Sequence, residues 1–266
     1  MPKGSNDLQG LGVLVTRPAH QANNLCQLIE AAGGRPYSLP TISIEPSNQA
    51  AQHQARGLLG HLLENDRLIF ISANAVEYSR VLLGPVGNWP NPIRTAAIGQ
   101  ATAQAFATTF GLRADLIPQG DNNSEALLLH PELQQVRGQR IIIIRGEGGR
   151  PLLGDTLQQR GAVVHYANVY RRGLPDINTE QHRDALRQQV DVITATSVEG
   201  LQNLIQLLAE SMAPWLWSRP LFVIHPRQVD AARRMGFKII PAVATETNDA
   251  ALLSAIIKWR QQQPND

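Results

Sequence analysis

Thiols, lysines and net charge are all scarce in this sequence. Its 266 residues hold one cysteine, Cys26, so no internal disulfide can form, and no His/Cys group has the spacing of a zinc site. Cys26 falls in the apolar helical pattern "NNLCQLIEAAG", where a small buried hydrophobe is the simplest role. A net charge of +2 is too small to suggest the continuous basic face that grips nucleic acid. No run approaches the roughly 20 apolar residues that span a bilayer, and the opening "MPKGSNDLQG" lacks the apolar stretch of a secretory signal. The expectation is a cytoplasmic protein with no metal, nucleic-acid or membrane partner. What is present is 43% hydrophobic and 17% charged residues, the balance of a folded globular chain, at a length that calls for two domains. The basic side chains are 21 Arg and 3 Lys, and arginine's planar fork pairs bidentately with carboxylates and phosphates.

Short apolar runs precede helical patterns along the chain: "VLVT", "LIFIS", "TAAIG", "IIIIR", "VITATS" and "LFVIH". This alternation predicts an α/β fold with parallel sheets, and the unbroken apolar character predicts strands covered on both faces. The chain also repeats itself. At an offset of 128, "VLVTR" falls on "IIIIR" and Gly33 on Gly161; at 125, "DRLIFISANAV" falls on "DVITATSVEGL"; at 126, "AIGQATAQAF" falls on "VIHPRQVDAA"; and at 125 again, "NNSEALL" falls on "TNDAALL". A duplicated α/β unit, about 11–131 and 137–259, follows from these four blocks in one order. Two similar lobes imply a cleft, and open α/β sheets bind ligands at the carboxyl ends of their strands.

The residues at those ends have more than one role open to them. "IIIIRGEGGRPLLGDTL" offers a glycine-rich turn before a helix, but Pro151 stands where a dinucleotide fingerprint needs its third glycine, and the Lys of a P-loop is absent. Arg145 and Arg150 are left flanking a turn that either holds another kind of anion or is a plain strand-to-helix connection. In "TRP", Pro18 can begin a helix and Thr16 can cap it, a role sufficient by itself, with Arg17 between them. Ser72 in "SANAVE" and Ser197 in "TSVEGL" are likewise ordinary helix caps, though their occurrence in both halves is consistent with paired anion contacts. No G-x-S-x-G elbow surrounds either serine. Gly99 and Thr102 mark a further turn, "IGQATA", whose counterpart carries His225 and Arg227; a lone histidine there reads first as a structural residue. Tyr170, in the extended "VVHYANVYRRG", is a buried aromatic or a proton donor facing the cleft.

Taken together, "VLVTRPAHQANNLCQLIEAAGGRPYSLPTISIEP", "LIFISANAV", "AIGQATAQAF", "IIIIRGEGGRPLLGDTLQQRGAVV", "NVYRR" and "TNDAALLSAI" resemble the bacterial type of uroporphyrinogen-III synthase, from about Gly12 to Ile257. The resemblance implies two similar lobes, each a parallel β-sheet flanked by helices, joined by a two-strand connector. It places residues 1–40 with 175–260 in one lobe, 46–163 in the other, and connecting strands at 41–45 and 164–174, while the polar end "RQQQPND" itself reads as a flexible tail at 261–266. It implies a cytoplasmic, monomeric enzyme without cofactor or metal. Such an enzyme closes hydroxymethylbilane to uroporphyrinogen III by loss of water, inverting ring D through a spiro intermediate. It further implies that Tyr170 assists departure of the hydroxyl and that Ser72, Thr102 and Ser197 line the cleft. Thr16, Arg17, Arg145 and Arg150 are additional candidates for the substrate's carboxylates. The chain departs from the pattern at "IHPRQV", Ile224 to Val229, where many members repeat I-G-x-x-T-A. A non-catalytic two-lobed binding or regulatory module for an anionic small molecule is the other reading.

Overall fold

The computed structural model describes residues 7–263. In chain order the elements are β1 (Gly12–Val15), α1 (Ala19–Ala31), β2 (Arg35–Ser38), β3 (Ser43–Pro46), α2 (Gln49–Leu59), β4 (Arg67–Phe70), α3 (Ala73–Leu83), β5 (Arg94–Ala97), α4 (Gln100–Phe110) and α5 (Ser124–Leu128). They continue with β6 (Arg140–Gly146), α6 (Leu152–Gln159), β7 (Val163–Gly173), α7 (Glu180–Gln189), β8 (Val192–Ala195), α8 (Val198–Trp217), β9 (Leu221–Val223), α9 (Arg227–Arg234), β10 (Ala242–Val243) and α10 (Asp249–Gln261). Of the tail expected at 261–266, Gln261 ends α10 and residues 264–266 lie outside the described residues.

Residues up to Ser43 together with those from Gly173 onward form one compact unit, and Ile44–Arg172 form the other. The first holds the sheet β10-β9-β8-β1-β2, parallel at every pairing. The second holds β3-β7-β6-β4-β5, in which β7, β6, β4 and β5 run parallel. Residues 164–174, expected to connect lobes, lie almost wholly in β7, which is hydrogen-bonded to β6 from Val163 to Tyr170.

Why the strands are unbroken apolar runs is visible in their packing. Ile141 to Ile144 are all buried, and successive side chains go to opposite faces of the sheet. Ile142 and Ile144 join Phe70 and Phe106 on one face; Ile141 and Ile143 join Leu153 and Leu157 on the other. In the first unit Leu14 and Ile193 pack with Leu201 and Leu204 of α8, whereas Val13 and Val192 pack with Leu25 and Leu252 of α1 and α10.

The sequence repeat is also a structural one. β1 corresponds to β6, β8 to β4 and β9 to β5, and the two sheets share the neighbour order β9-β8-β1-β2 and β5-β4-β6-β7. The matched glycines Gly33 and Gly161 both take positive φ, +78° and +87°, just after α1 and α6, where the left-handed conformation ends a helix at no steric cost. Each sheet nevertheless takes its β1-type strand from the other half of the sequence: β1 pairs with β8, and β6 with β4.

Candidate active site

At the carboxyl edge of the second unit's sheet, β4 ends at Phe70 and the chain turns into α3 through Ser72. Its Oγ accepts a hydrogen bond from Ala75 N at 3.0 Å and caps the helix. The same Oγ lies 3.2 Å from the Tyr170 hydroxyl. Tyr170 is 3% exposed and its ring meets Tyr78 at 5.9 Å. Two backbone features put it there. The β6–β7 register skips a residue, so that Arg145 pairs with Asn168 but Gly146 with Tyr170. Gly146 also leaves the room: a Cβ on it would come within 2.6 Å of the Tyr170 ring.

Arg145, one residue earlier on β6, is 8% exposed, a position arginine accepts only when its charge is accommodated. Its Nε donates to Gly146 O at 3.1 Å, and its guanidinium lies 5.0 Å from the centre of the Tyr166 ring. Tyr166 in turn fits because α6 has no side chain at Gly154; a Cβ there would overlap the Tyr166 hydroxyl. Gly149, at φ +92°, likewise leaves space for the Arg145 guanidinium, 2.6 Å from where its Cβ would be. Arg150 is different in kind. It is 68% exposed and pairs with Glu125 at 2.6 Å, and that hydrogen bond holds the Glu125 carboxyl below its ordinary pKa. Thr102 is buried in the first turn of α4.

At the carboxyl edge of the first unit's sheet, Thr16 does not cap α1. The N-cap position is Pro18, without a side-chain cap, and Thr16 is buried at 4%, donating from Oγ1 to Thr194 O at 2.8 Å. Thr194 returns a bond to Leu14 O at 2.8 Å, so the two hydroxyls tie β1 to β8. The backbone oxygen of Thr16 accepts from Thr41 Oγ1 at 3.0 Å. Arg17 is paired with Asp249 at 2.8 Å, and Asp249 also accepts from Asn24 Nδ2 at 2.8 Å. Ser197 caps α8 by accepting from Gly200 N at 2.9 Å.

Ser72, Thr102, Arg145, Arg150 and Tyr170 thus share one sheet edge, and of these five described residues Ser72 and Tyr170 are the pair whose side chains hydrogen-bond to each other. Thr16, Arg17 and Ser197 share the corresponding edge of the other sheet. Reasoning from sequence missed three supports. Asn122 Oδ1 accepts from Gln100 N at 2.9 Å and occupies the space a Cβ on Gly99 would need. Glu147 accepts from Asn48 N at 2.8 Å and from Asn48 Nδ2 at 3.0 Å. Gln228 stands at offset 126 from Thr102, so the repeat had already marked its position. It is 1% exposed, accepts from Ile224 N and His225 N at 3.2 and 2.9 Å, and donates to Ala195 O at 3.1 Å. The turn that departs from the family pattern is therefore held by an internal glutamine, while His225 is exposed with Nδ1 accepting from Arg227 N. Among the described residues, no three His, Cys, Asp or Glu side chains group as a metal site would require, and no helix is long and apolar enough to cross a membrane.

A family model described as uroporphyrinogen-III synthase HemD matches residues 23–253. The chain belongs to the uroporphyrinogen-III synthase family. It is 35% identical over 247 residues to the uroporphyrinogen-III synthase of Escherichia coli (strain K12), covering 91% of this chain and 98% of that one. It is 34% identical over 210 residues to that of Synechococcus elongatus, covering 77% of each. In fold it is similar to solved uroporphyrinogen-III synthases from Thermus thermophilus (TM-score 0.59, 22% identity, 96% of this chain and 100% of that chain) and Helicobacter pylori 26695 (TM-score 0.59, 14% identity, 94% and 99%). As a uroporphyrinogen-III synthase the chain is a cyclising lyase of tetrapyrrole biosynthesis, and the non-catalytic reading is not favoured.

Proposed function

We propose that this enzyme closes hydroxymethylbilane at the carboxyl edge of the sheet formed by β3 to β7, with Tyr170 as the group that protonates the departing hydroxyl. The observation that carries this reading is the 3.2 Å contact between the Tyr170 and Ser72 hydroxyls in otherwise apolar surroundings. Transfer of the Tyr170 proton to the hydroxymethyl oxygen lets the carbon–oxygen bond break, with its electron pair leaving on water. The positive charge stays on the bilane and is shared by the adjoining pyrrole. The substituted carbon of ring D attacks that centre to give the spiro intermediate. Fragmentation and reclosure invert the ring, and the proton lost as aromaticity returns restores the phenol.

Ser72 acts on this step through Tyr170. Its Oγ already accepts from Ala75 N, so its own proton is free to donate to the Tyr170 oxygen as negative charge develops there. The start of α3 favours that charge as well. Shape control is the other requirement, because hydroxymethylbilane closes without inversion when unassisted. Arg145, with its guanidinium braced against Tyr166, and Arg150 are the proposed contacts for acetate and propionate groups on this sheet edge. Thr102 and the first-turn amides of α3 and α4 supplement them. Thr16, Arg17 and Ser197 are proposed to contribute polar contacts on the carboxyl edge of the other sheet. We place the enzyme in the cytoplasm as a monomer, working without a cofactor.

Tyr170→Phe tests the central role. Because the phenol oxygen has one hydrogen-bond partner among the described residues, the substitution is expected to leave the fold intact and to lower kcat by about a hundredfold, the usual contribution of a general acid. Unchanged kcat on freshly prepared hydroxymethylbilane would remove Tyr170 as the proton donor.

A further inference from the structure

At the amino edge of the sheet formed by β10, β9, β8, β1 and β2 there is a cavity of about 520 Å³, within the size range of small-ligand sites. It is lined by the residues that open the strands, among them Gly10, Arg35, Asp191 and Pro220, and by Arg219 and Arg260 at the ends of α8 and α10. In a parallel sheet this is the far end of the strands from Thr16 and Ser197, roughly 13 Å away for a four-residue strand. It lies apart from the sheet edges proposed above for the lyase reaction.

Three arginines line this one space. Among the described residues, none of Arg35, Arg219 and Arg260 has a carboxylate within ion-pair distance or donates a side-chain hydrogen bond. The Arg219 Nε is buried with no hydrogen-bond partner among the described residues, and its guanidinium is held 5.3 Å from the centre of the Trp215 ring. One carboxylate, Asp191, lines the cavity too, but its Oδ2 is taken by Gly12 N at 2.7 Å. Positive charge is therefore in excess. Cations also collect at helix C-termini to offset the macrodipole, and α8 and α10 both end here. That role is served best by donation to the last carbonyls of the helix, and none of these three side chains donates to one. Three unpaired forks around a cavity, one with a buried orphan nitrogen, are the arrangement that planar oxyanions satisfy.

We propose that this cavity binds a small polyanion through Arg35, Arg219 and Arg260, with phosphate or carboxylate groups as the recognised chemistry. The test titrates pyrophosphate and citrate separately into the full chain at low salt by calorimetry. Saturable one-to-one binding of either probe is expected, and the tighter of the two identifies the preferred group. Arg219→Gln and Arg260→Gln should each weaken it by about tenfold. Arg35→Gln, at an exposed strand start, gives the same readout should either of the others fail to fold. Arg80→Gln, beside a separate cavity in the other unit, should leave binding unchanged. Turnover of hydroxymethylbilane should be unaltered in all four variants. Absence of saturable binding for both probes, or binding indifferent to Arg35, Arg219 and Arg260, overturns the proposal.

Discussion

Gly146 controls Tyr170 by what it lacks. An added methyl would lie 2.6 Å from the ring, and because Tyr170 is buried against Tyr78 the ring cannot retreat without moving its hydroxyl off Ser72. Gly146→Ala should therefore lower kcat by about tenfold or more, and destabilise by about 1–3 kcal/mol as overpacking does. Activity retained at the wild-type level would show that the placement of Tyr170 is not critical. Ser72 has two roles that substitution can separate. Ser72→Ala loses a helix cap worth about 1 kcal/mol, and Asn248→Ala loses a comparable cap on α10. Urea unfolding should register both, whereas turnover should fall only for Ser72→Ala. Equal turnover in the two would assign Ser72 to capping alone. At this scale the sequence showed which residues stand at strand ends but not what they touch. Thr16 and Ser197 looked alike as caps; Ser197 is one, and Thr16 bonds across the sheet to Thr194. Arg17's partner, Asp249, is more than two hundred residues away, so no local pattern could announce it.

Among elements, the fit of α6 against β7 carries Arg145. The Tyr166 hydroxyl fills the place of the missing Gly154 side chain, and the Tyr166 ring supports the guanidinium. Gly154→Ala should cost about 1–3 kcal/mol by overpacking, and adding Tyr166→Phe, which removes the nearest atom, should recover part of that loss. A double-mutant cycle from denaturant midpoints measures the coupling; strict additivity would place the strain elsewhere. The strands legible in sequence were those with continuous apolar runs, β1, β4, β5, β6, β8 and β9. β2, β3 and β10 did not stand out, and all three are sheet edges, with half-exposed residues that need no such run. The repeat was legible because matching helices and turns keep their spacing. Which half supplies each strand was not legible in the repeat and was implied only by the family resemblance, since strand pairing is a non-local choice that offsets in the sequence do not encode.

Across the whole molecule, each unit carries a tyrosine whose pKa is raised, Tyr37 by burial in the first and Tyr78 by burial and the nearby Glu77 and Glu45 in the second. For a phenol raised in the folded state, the neutral form is the one the fold favours. Its contribution to stability is complete below the unfolded pKa of about 10 and is lost as pH rises through the folded value. Urea midpoints should thus fall as pH is taken from about 8 to above about 10, and the fall should be shallower in a Tyr37→Phe, Tyr78→Phe double variant; an identical fall would point to other groups. The α/β class, the repeat and the family were all legible from the sequence, because they rest on patterns spread over the chain. The roles of the internal supports, Gln228, Asn122 and Glu147, were not, because each acts through a few hydrogen bonds to particular backbone and side-chain groups.

As a uroporphyrinogen-III synthase, this chain directs closure of hydroxymethylbilane with inversion of one ring. Freshly generated hydroxymethylbilane should be supplied to the purified chain, the product oxidised, and the porphyrin isomers separated. The type III isomer is expected in large excess; the type I isomer alone, as forms without enzyme, would show that the chain does not direct inversion.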